Sequence, residues 1–244
     1  MGGCHIDAMP EEPKYTKTIL CLANSRRPGG RCVAGKEFAD GTAGAWTRPV
    51  NTHNHNAISE ADLQYENGTS ADALDIITIP LIEAVPQGHQ TENHKISPDY
   101  YWTKEGSATW AQVVAATDSV AGPLWTNGHS SFHGLNDKVS EAEANTLTGS
   151  LYLIKPTEVK IIVGPESQYG GGSRRRIRAS FVHNGNHYNF VVTDPWAEAK
   201  YFAGQDGTYP LENTRLCVSL SEAINGHAIK LVAGVFTTER LNGQ

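Results

Sequence analysis

Arg26, Arg27 and Arg31 surround a Pro28-Gly29-Gly30 turn in the stretch CLANSRRPGGRCVAGKE, Cys21 to Glu37. Such a turn needs positive φ at a glycine, and successive backbone N–H groups within it can form a nest for an anion. Guanidinium groups add planar paired donors suited to phosphate. Asn24 and Ser25 bring neutral hydrogen-bonding groups for a sugar or a base. With Gly30 these residues make a candidate anion cradle, and they equally fit a solvated basic hairpin tip. The stretch is not a phosphate-binding P-loop, because Gly35-Lys36 is followed by Glu37 where that motif needs Ser or Thr.

Three further groups carry possible chemistry. In GAWTRPV, Trp46 and Arg48 lie two apart in a strand pattern, so they share a face and could offer a stacking plate beside a phosphate clamp; Trp46 could also simply fill a core. In HQTEN, His89, Gln90 and Asn93 stand just past a strand end, placed to read a base edge, or His89 and Glu92 could form an acid-base pair. A polar connector is the competing account. In YGGGSRRRIR, a glycine run feeds Arg174, Arg175, Arg176 and Arg178 into a strand, which reads as a basic ridge or as an edge guarded by charge.

Other chemistries find little support. Cys21 and Cys32 are eleven apart in apolar strands, Cys217 lies in another, and Cys4 stands near the start, so buried free thiols are expected rather than zinc. His129 and His133 are spaced as HxxxH but sit among loop-forming residues, and no metal ligand is assigned. Asp194 in VTDP reads as a helix cap, with a base or metal role as the alternative. No nucleophile elbow or carboxylate pair is present, so no catalytic residue and no cofactor is assigned.

The elements that would hold these groups are mostly strands. Apolar, β-branched or aromatic runs bounded by Gly, Pro, Asn and Asp mark strands at 18–23, 31–35, 44–50, 76–85, 151–163, 176–183, 187–193, 214–220 and 227–236. Asn184-Gly185 signals a hairpin. Short helices are expected over 109–117 and, capped by Asp194 with Pro195 at its first position, over 196–203. The fold class is therefore mainly β; two small barrels in tandem, joined by a loop-rich connector with one or two short helices, make the natural architecture, and a single large sandwich would use as many strands. The expected division is a flexible leader at 1–15, a first barrel at 16–90, a connector at 91–149 and a second barrel at 150–240. The net charge of −6 over 244 residues argues against indiscriminate DNA binding. No apolar run approaches a membrane span, the start lacks the apolar core of a signal peptide, and sparse cysteines suit the cytoplasm.

Taken in order, CLANSRRPGGRCVAGKE, GAWTRPV, LDIITIPL, HQTEN, SLYLI, VTDP and LCVSLSEAINGHAIKLVAGVF resemble the dual OB-containing domain family over Thr16 to Thr237. The resemblance implies two tandem OB barrels, found in prokaryotic proteins, that bind nucleic acid or a nucleotide-like ligand, with no catalytic residues to carry over. The leading expectation is a non-enzymatic module for single-stranded RNA or DNA, with Trp46 and Tyr188 or Tyr169 stacking bases and Arg26, Arg27, Arg31, Arg48, Arg174 and Arg175 on phosphates. A sensor for a nucleotide or other anionic metabolite, held between the barrels by the Pro-Gly-Gly turn, Arg31, His89, Gln90 and Asn93, is the alternative. A hydrolase or nuclease using His89, Glu92 or Asp194, and a domain that positions a protein partner, complete the set.

Overall fold

In the computed structural model, residues 11–168 and 170–242 are described. The first barrel begins as a meander, β1 (Tyr15–Arg27), β2 (Gly30–Ala39) and β3 (Thr42–Val50), followed by β4 (Asp75–Ala84) and β5 (Asn93–Ile96). β3 pairs in parallel with β5, β5 pairs antiparallel with β4, and β4 returns to β1, which closes a five-stranded barrel. β1 serves two neighbours along its length: Tyr15 to Leu20 pair with β4, and Ile19 to Arg27 with β2. A register shift between Cys21 and Ala23 bends it from one to the other. β6 (Thr103–Ser107) adds to β4 outside the closed path.

The connecting segment is more structured than its composition suggests. It holds α1 (Trp110–Ala115), capped by a Thr109–Gln112 box, then β7 (Lys138–Ser140) and α2 (Glu141–Ala144), capped by a Ser140–Glu143 box. β5 itself falls beyond the 16–90 limit read from the sequence. Its four residues, Asn-His-Lys-Ile, are too short and polar to show a strand period.

The second barrel is built from β8 (Leu151–Ile154), β9 (Thr157–Ser167), β10 (Ser173–His183), β11 (Asn186–Val192), α3 (Pro195–Phe202), β12 (Gly207–Pro210), β13 (Arg215–Leu220) and β14 (His227–Phe236), with α4 (Thr238–Asn242) after it. The hydrogen-bonded path runs β9, β10, β11, β14, β13, β8. Only Lys155 and Pro156 separate β8 from β9, so the path returns to the run it left and repeats the topology of the first barrel. Proline has no N–H to donate, which splits what the sequence reads as one strand at 151–163. Asp194 caps α3 with Pro195 at its first position, as expected.

The barrels share apolar core. On β1, Ile19 and Cys21 point into the first barrel, while Leu20 and Leu22 point the other way into a seam. There they meet Leu151 and Leu153 of β8, Cys217 of β13, and Ala233 and Phe236 of β14, with Val113 of α1. In turn Val218, Leu220, Val232 and Val235 fill the second barrel. A strand buried on both faces must be apolar at every position, which is why Ile19 to Ala23 shows no polar alternation. The cysteines Cys21 and Cys217 are free and buried, and burial pushes both thiols up. Among the described residues no helix is long and apolar enough to cross a membrane.

Two features of this core are directly testable. A Cβ on Gly234 would lie 2.6 Å from the Leu22 carbonyl oxygen and 2.7 Å from the Phe236 ring, so β1 and β14 approach this closely only because position 234 has no side chain. Gly234→Ala is expected to destabilise by about 1–3 kcal/mol in urea unfolding, the usual effect of overpacking. Lys230 on β14 is fully buried and donates to the Thr126 carbonyl at 2.5 Å and to Asn127 Oδ1 at 3.3 Å, pinning the connector. Burial lowers it to about 8, against the upward pull of Asp137 and Glu143. From about pH 8 to 10.5 the unfolded chain binds more protons here than the folded one, so stability rises with pH over that window. Unfolding at pH 7.5 and 9.5 should show that gain in the wild type relative to Lys230→Met; parallel behaviour would refute it.

Candidate functional site

The end of the β1–β2 hairpin, the loop between β4 and β5, and the loop between β13 and β14 converge on a cavity of about 310 Å³. The first barrel lines it with Ser25, Arg26, Arg27, Pro28, Cys32, Arg48 and Gln90. The second contributes Thr193, Ser219 to Glu222, Ile224 and Leu231. In OB barrels the loops joining the first two and last two strands commonly hold the ligand. Here both such loops of the first barrel meet the latter loop of the second.

The hairpin tip is held by its neighbours. Pro28 followed by Gly29 at φ +86° has the pattern of a type II turn. Gly30 takes φ +148°, and a Cβ there would lie 2.2 Å from the Ile58 carbonyl oxygen. The Arg31 N–H donates to that carbonyl at 2.8 Å, and Asn54 donates to the Gly29 carbonyl at 3.1 Å. The expected backbone nest is therefore occupied by residues 54–58. What the turn offers the cavity is Pro28 and the arginines before it.

Most of those arginines are paired. Arg26 bonds Glu198 of α3, and its backbone N–H donates to the Thr193 carbonyl at 2.9 Å. Arg27 donates to the His55 carbonyl at 3.1 Å and stands 3.8 Å from Glu222. Arg31 points away and pairs with Glu60 at 2.8 Å. Arg48 differs because it is only 3% exposed yet lines the cavity. Its Nη2 donates to Ser150 Oγ at 2.7 Å and lies 3.3 Å from Glu92 Oε1, while its Nε has no hydrogen-bond partner. Ser150 in turn bonds Glu92. This network joins β3 of the first barrel to the residue that leads into β8 of the second.

The HQTEN segment acts as a clasp between barrels. His89 Nε2 meets the Ser221 carbonyl at 2.9 Å, Gln90 donates to the Leu220 carbonyl at 3.4 Å, and Thr91 donates to the Thr148 carbonyl at 2.7 Å. Asn93 donates to Gln90 at 3.4 Å and is 1% exposed. His89 and Glu92 thus bond different partners and do not form the acid-base pair considered above. Gln90 alone of the segment reaches the cavity wall.

Other expected site residues lie elsewhere. Asn24 donates to the Ala71 carbonyl at 2.9 Å inside the first barrel. Trp46 packs against the seam and donates to Asp118 at 3.1 Å, lining a different groove between the barrels. Tyr188, expected to stack bases, is 1% exposed within the second core and accepts from the Leu124 N–H; burial there rules out stacking. Tyr169, like Cys4 and the start of the leader, lies outside the described residues. Arg175 holds Asp206 at 2.7 Å and the Phe202 and Gly204 carbonyls at the end of α3, whereas Arg174 is exposed. Asp194 is buried against Arg240 at 2.6 Å, a structural pair in which burial raises the carboxyl. Among the described residues no three His, Cys, Asp or Glu side chains gather as a metal-binding group.

Sequence reasoning missed Ser219, Leu220, Ser221, Glu222, Ile224 and Leu231. Asn225-Gly226, both at positive φ, marked a turn at this point, but nothing local says that the turn faces the other barrel.

The buried ion pair gives a specific expectation. Glu92→Gln or Arg48→Met alone leaves one charge buried without its partner and should cost about 3–5 kcal/mol in urea unfolding. The double change should cost less than the sum, because the uncompensated charge is gone.

The family model described as dual OB-containing domain matches residues 17–235. Comparison with curated proteins and with solved structures gives no match.

Proposed function

Because the chain belongs to the dual OB-containing domain family, whose architecture is that of a binding module, we propose that it is a non-enzymatic receptor for a small anionic ligand of nucleotide size, held between the two barrels. The observation that carries this reading is Arg48: a guanidinium withdrawn from water, at the wall of the cavity, with an Nε that no protein group satisfies. A buried donor without a partner is costly, and a ligand acceptor would relieve that cost.

The rest of the lining suits a ligand with two characters. Three guanidiniums, Arg26, Arg27 and Arg48, stand at this wall, and although each has a carboxylate beside it (Glu198, Glu222 and Glu92), an anion could share their remaining donors. Pro28, Leu220, Ile224 and Leu231 provide an apolar surface for a flat body such as a base, and Ser25, Ser219, Ser221 and Gln90 supply polar contacts. A volume of about 310 Å³ matches the lower end of small-molecule sites. A single-stranded nucleic acid fits the geometry less well, since Trp46 and Tyr188 are engaged in packing and most candidate phosphate clamps already hold carboxylates.

Thermal unfolding in the presence of nucleoside monophosphates and other anionic metabolites tests this. A cognate ligand at a hundred times its Kd should raise the midpoint by about 5–10 °C for a chain of this size. Arg27→Gln should weaken the shift through the anion and Ile224→Ser through the apolar wall. If no small anion moves the midpoint while mixed oligonucleotides bind with steep salt dependence, the strand-binding reading replaces this one.

A further inference from the structure

A second cavity lies across the ion pair that Arg26 makes. Glu198, which holds Arg26, lines this space of about 340 Å³ with Arg174, Arg175, Arg176, Ile177, Val192 and Phe202. Adjacent residues of the chain divide the two spaces: Thr193 faces the first and Val192 the second. The two arginine islands, about 150 residues apart in the chain, therefore come together across the Arg26–Glu198 pair.

The arginines of the second cavity are not equivalent. Arg175 is held by Asp206 and two carbonyls and lies over the Phe202 ring. Arg174 is exposed and Arg176 half-buried, and although both backbones lie in the β9–β10 ladder, neither side chain has a hydrogen-bond or ion-pair partner among the described residues. Arg176 also lines the next hollow along β10, where Arg178 is neutralised by Glu166 and Asp137. In the second cavity the unpaired positive side chains are thus Arg174 and Arg176, which share its lining with Glu198.

On the basis of the ligand reading above, we infer that Arg174 and Arg176 form a second subsite for the anionic tail of the same ligand, a phosphate-bearing chain whose head occupies the cavity at Arg48. Glu198 is the gate of this track. Its carboxylate occupies the Arg26 guanidinium until a phosphate competes for it, and its negative charge opposes any tail that passes without displacing it. Two sources share this chemistry: a nucleotide with a polyphosphate tail, and the end of a short oligonucleotide. Arg174 and Arg176 serve either, because paired guanidinium donors recognise phosphate oxygens regardless of the linkage.

Titrations with adenosine 5′-monophosphate, adenosine 5′-triphosphate and a 5′-phosphorylated tetra-adenylate separate the possibilities. Lengthening the tail should raise wild-type affinity by about tenfold or more, as expected for new charge-assisted contacts. The longer probe that gains identifies the source. In the Arg174→Gln/Arg176→Gln double variant the ratio of long-probe to monophosphate affinity should fall towards one, and Glu198→Gln should raise affinity for the long probe. Monophosphate binding with no gain on lengthening, or a ratio unaltered in the double variant, overturns the subsite alone. Unchanged long-probe affinity in Glu198→Gln overturns the gate. Failure of all three probes to bind overturns the nucleotide reading of the cavity together with its extension.

Discussion

The close approach of β14 to β1 governs the layout of this protein. With no side chain at Gly234, the second barrel presses to within contact of the Leu22 carbonyl, and the outward faces of β1, β8, β13 and β14 form one apolar seam. Hydrophobic burial of this kind joins the barrels more firmly than a linker would. It also decides which surfaces remain for a ligand. Trp46, on the strand face that many OB barrels present to a partner, packs against the seam, and open space is left where loops of both barrels meet.

The seam also explains why the polar groups near it are so fully engaged. A loop brought against another barrel loses water, so its polar side chains must find partners there. His89, Gln90 and Thr91 do so on carbonyls of residues 148, 220 and 221, and Glu92 does so on Arg48 and Ser150. Among the described residues that line the cavity, two keep a buried polar atom without a hydrogen-bond partner after this matching, Arg48 at its Nε and Glu222 at Oε1. The clasp and the cavity wall draw on the same loops. A ligand bound at Arg48, as proposed, would therefore act on a group that also ties the first barrel to the lead into β8.

Strand content was legible in the sequence because turn residues and β-branched runs act locally, whereas the pair of OB barrels was implied by the family resemblance. Asn184-Gly185, Pro28-Gly29 and the Asp194-Pro195 cap all behave as their chemistry requires. Short polar strands such as β5 were not legible, since four residues show no period. The two-faced burial of ILCLA was written in its unbroken apolar character, but such a run fits a buried strand in many settings. Of the candidate site residues, Ser25, Arg26, Arg27, Arg48 and Gln90 line one cavity in the structure. Their second-barrel counterparts were not found, because the seam that brings the loop at 219–224 opposite them depends on contacts far apart in the chain.

Charge pairing finally distinguishes two ways of binding an anion. An open basic groove attracts strands over long range and loses affinity steeply with salt. Here Arg26, Arg27, Arg31, Arg175 and Arg178 each stand beside a carboxylate, and the whole chain is acidic, so little long-range attraction remains. Discrimination instead has to come from short range. On the proposed reading, a ligand would gain at Arg48 only where it presents an acceptor to a desolvated guanidinium, and at Arg26 only where it competes with Glu198. A site of that kind would reject anions of the wrong shape through the pairs they would have to break, which would suit selection of one small ligand better than retention of any passing strand.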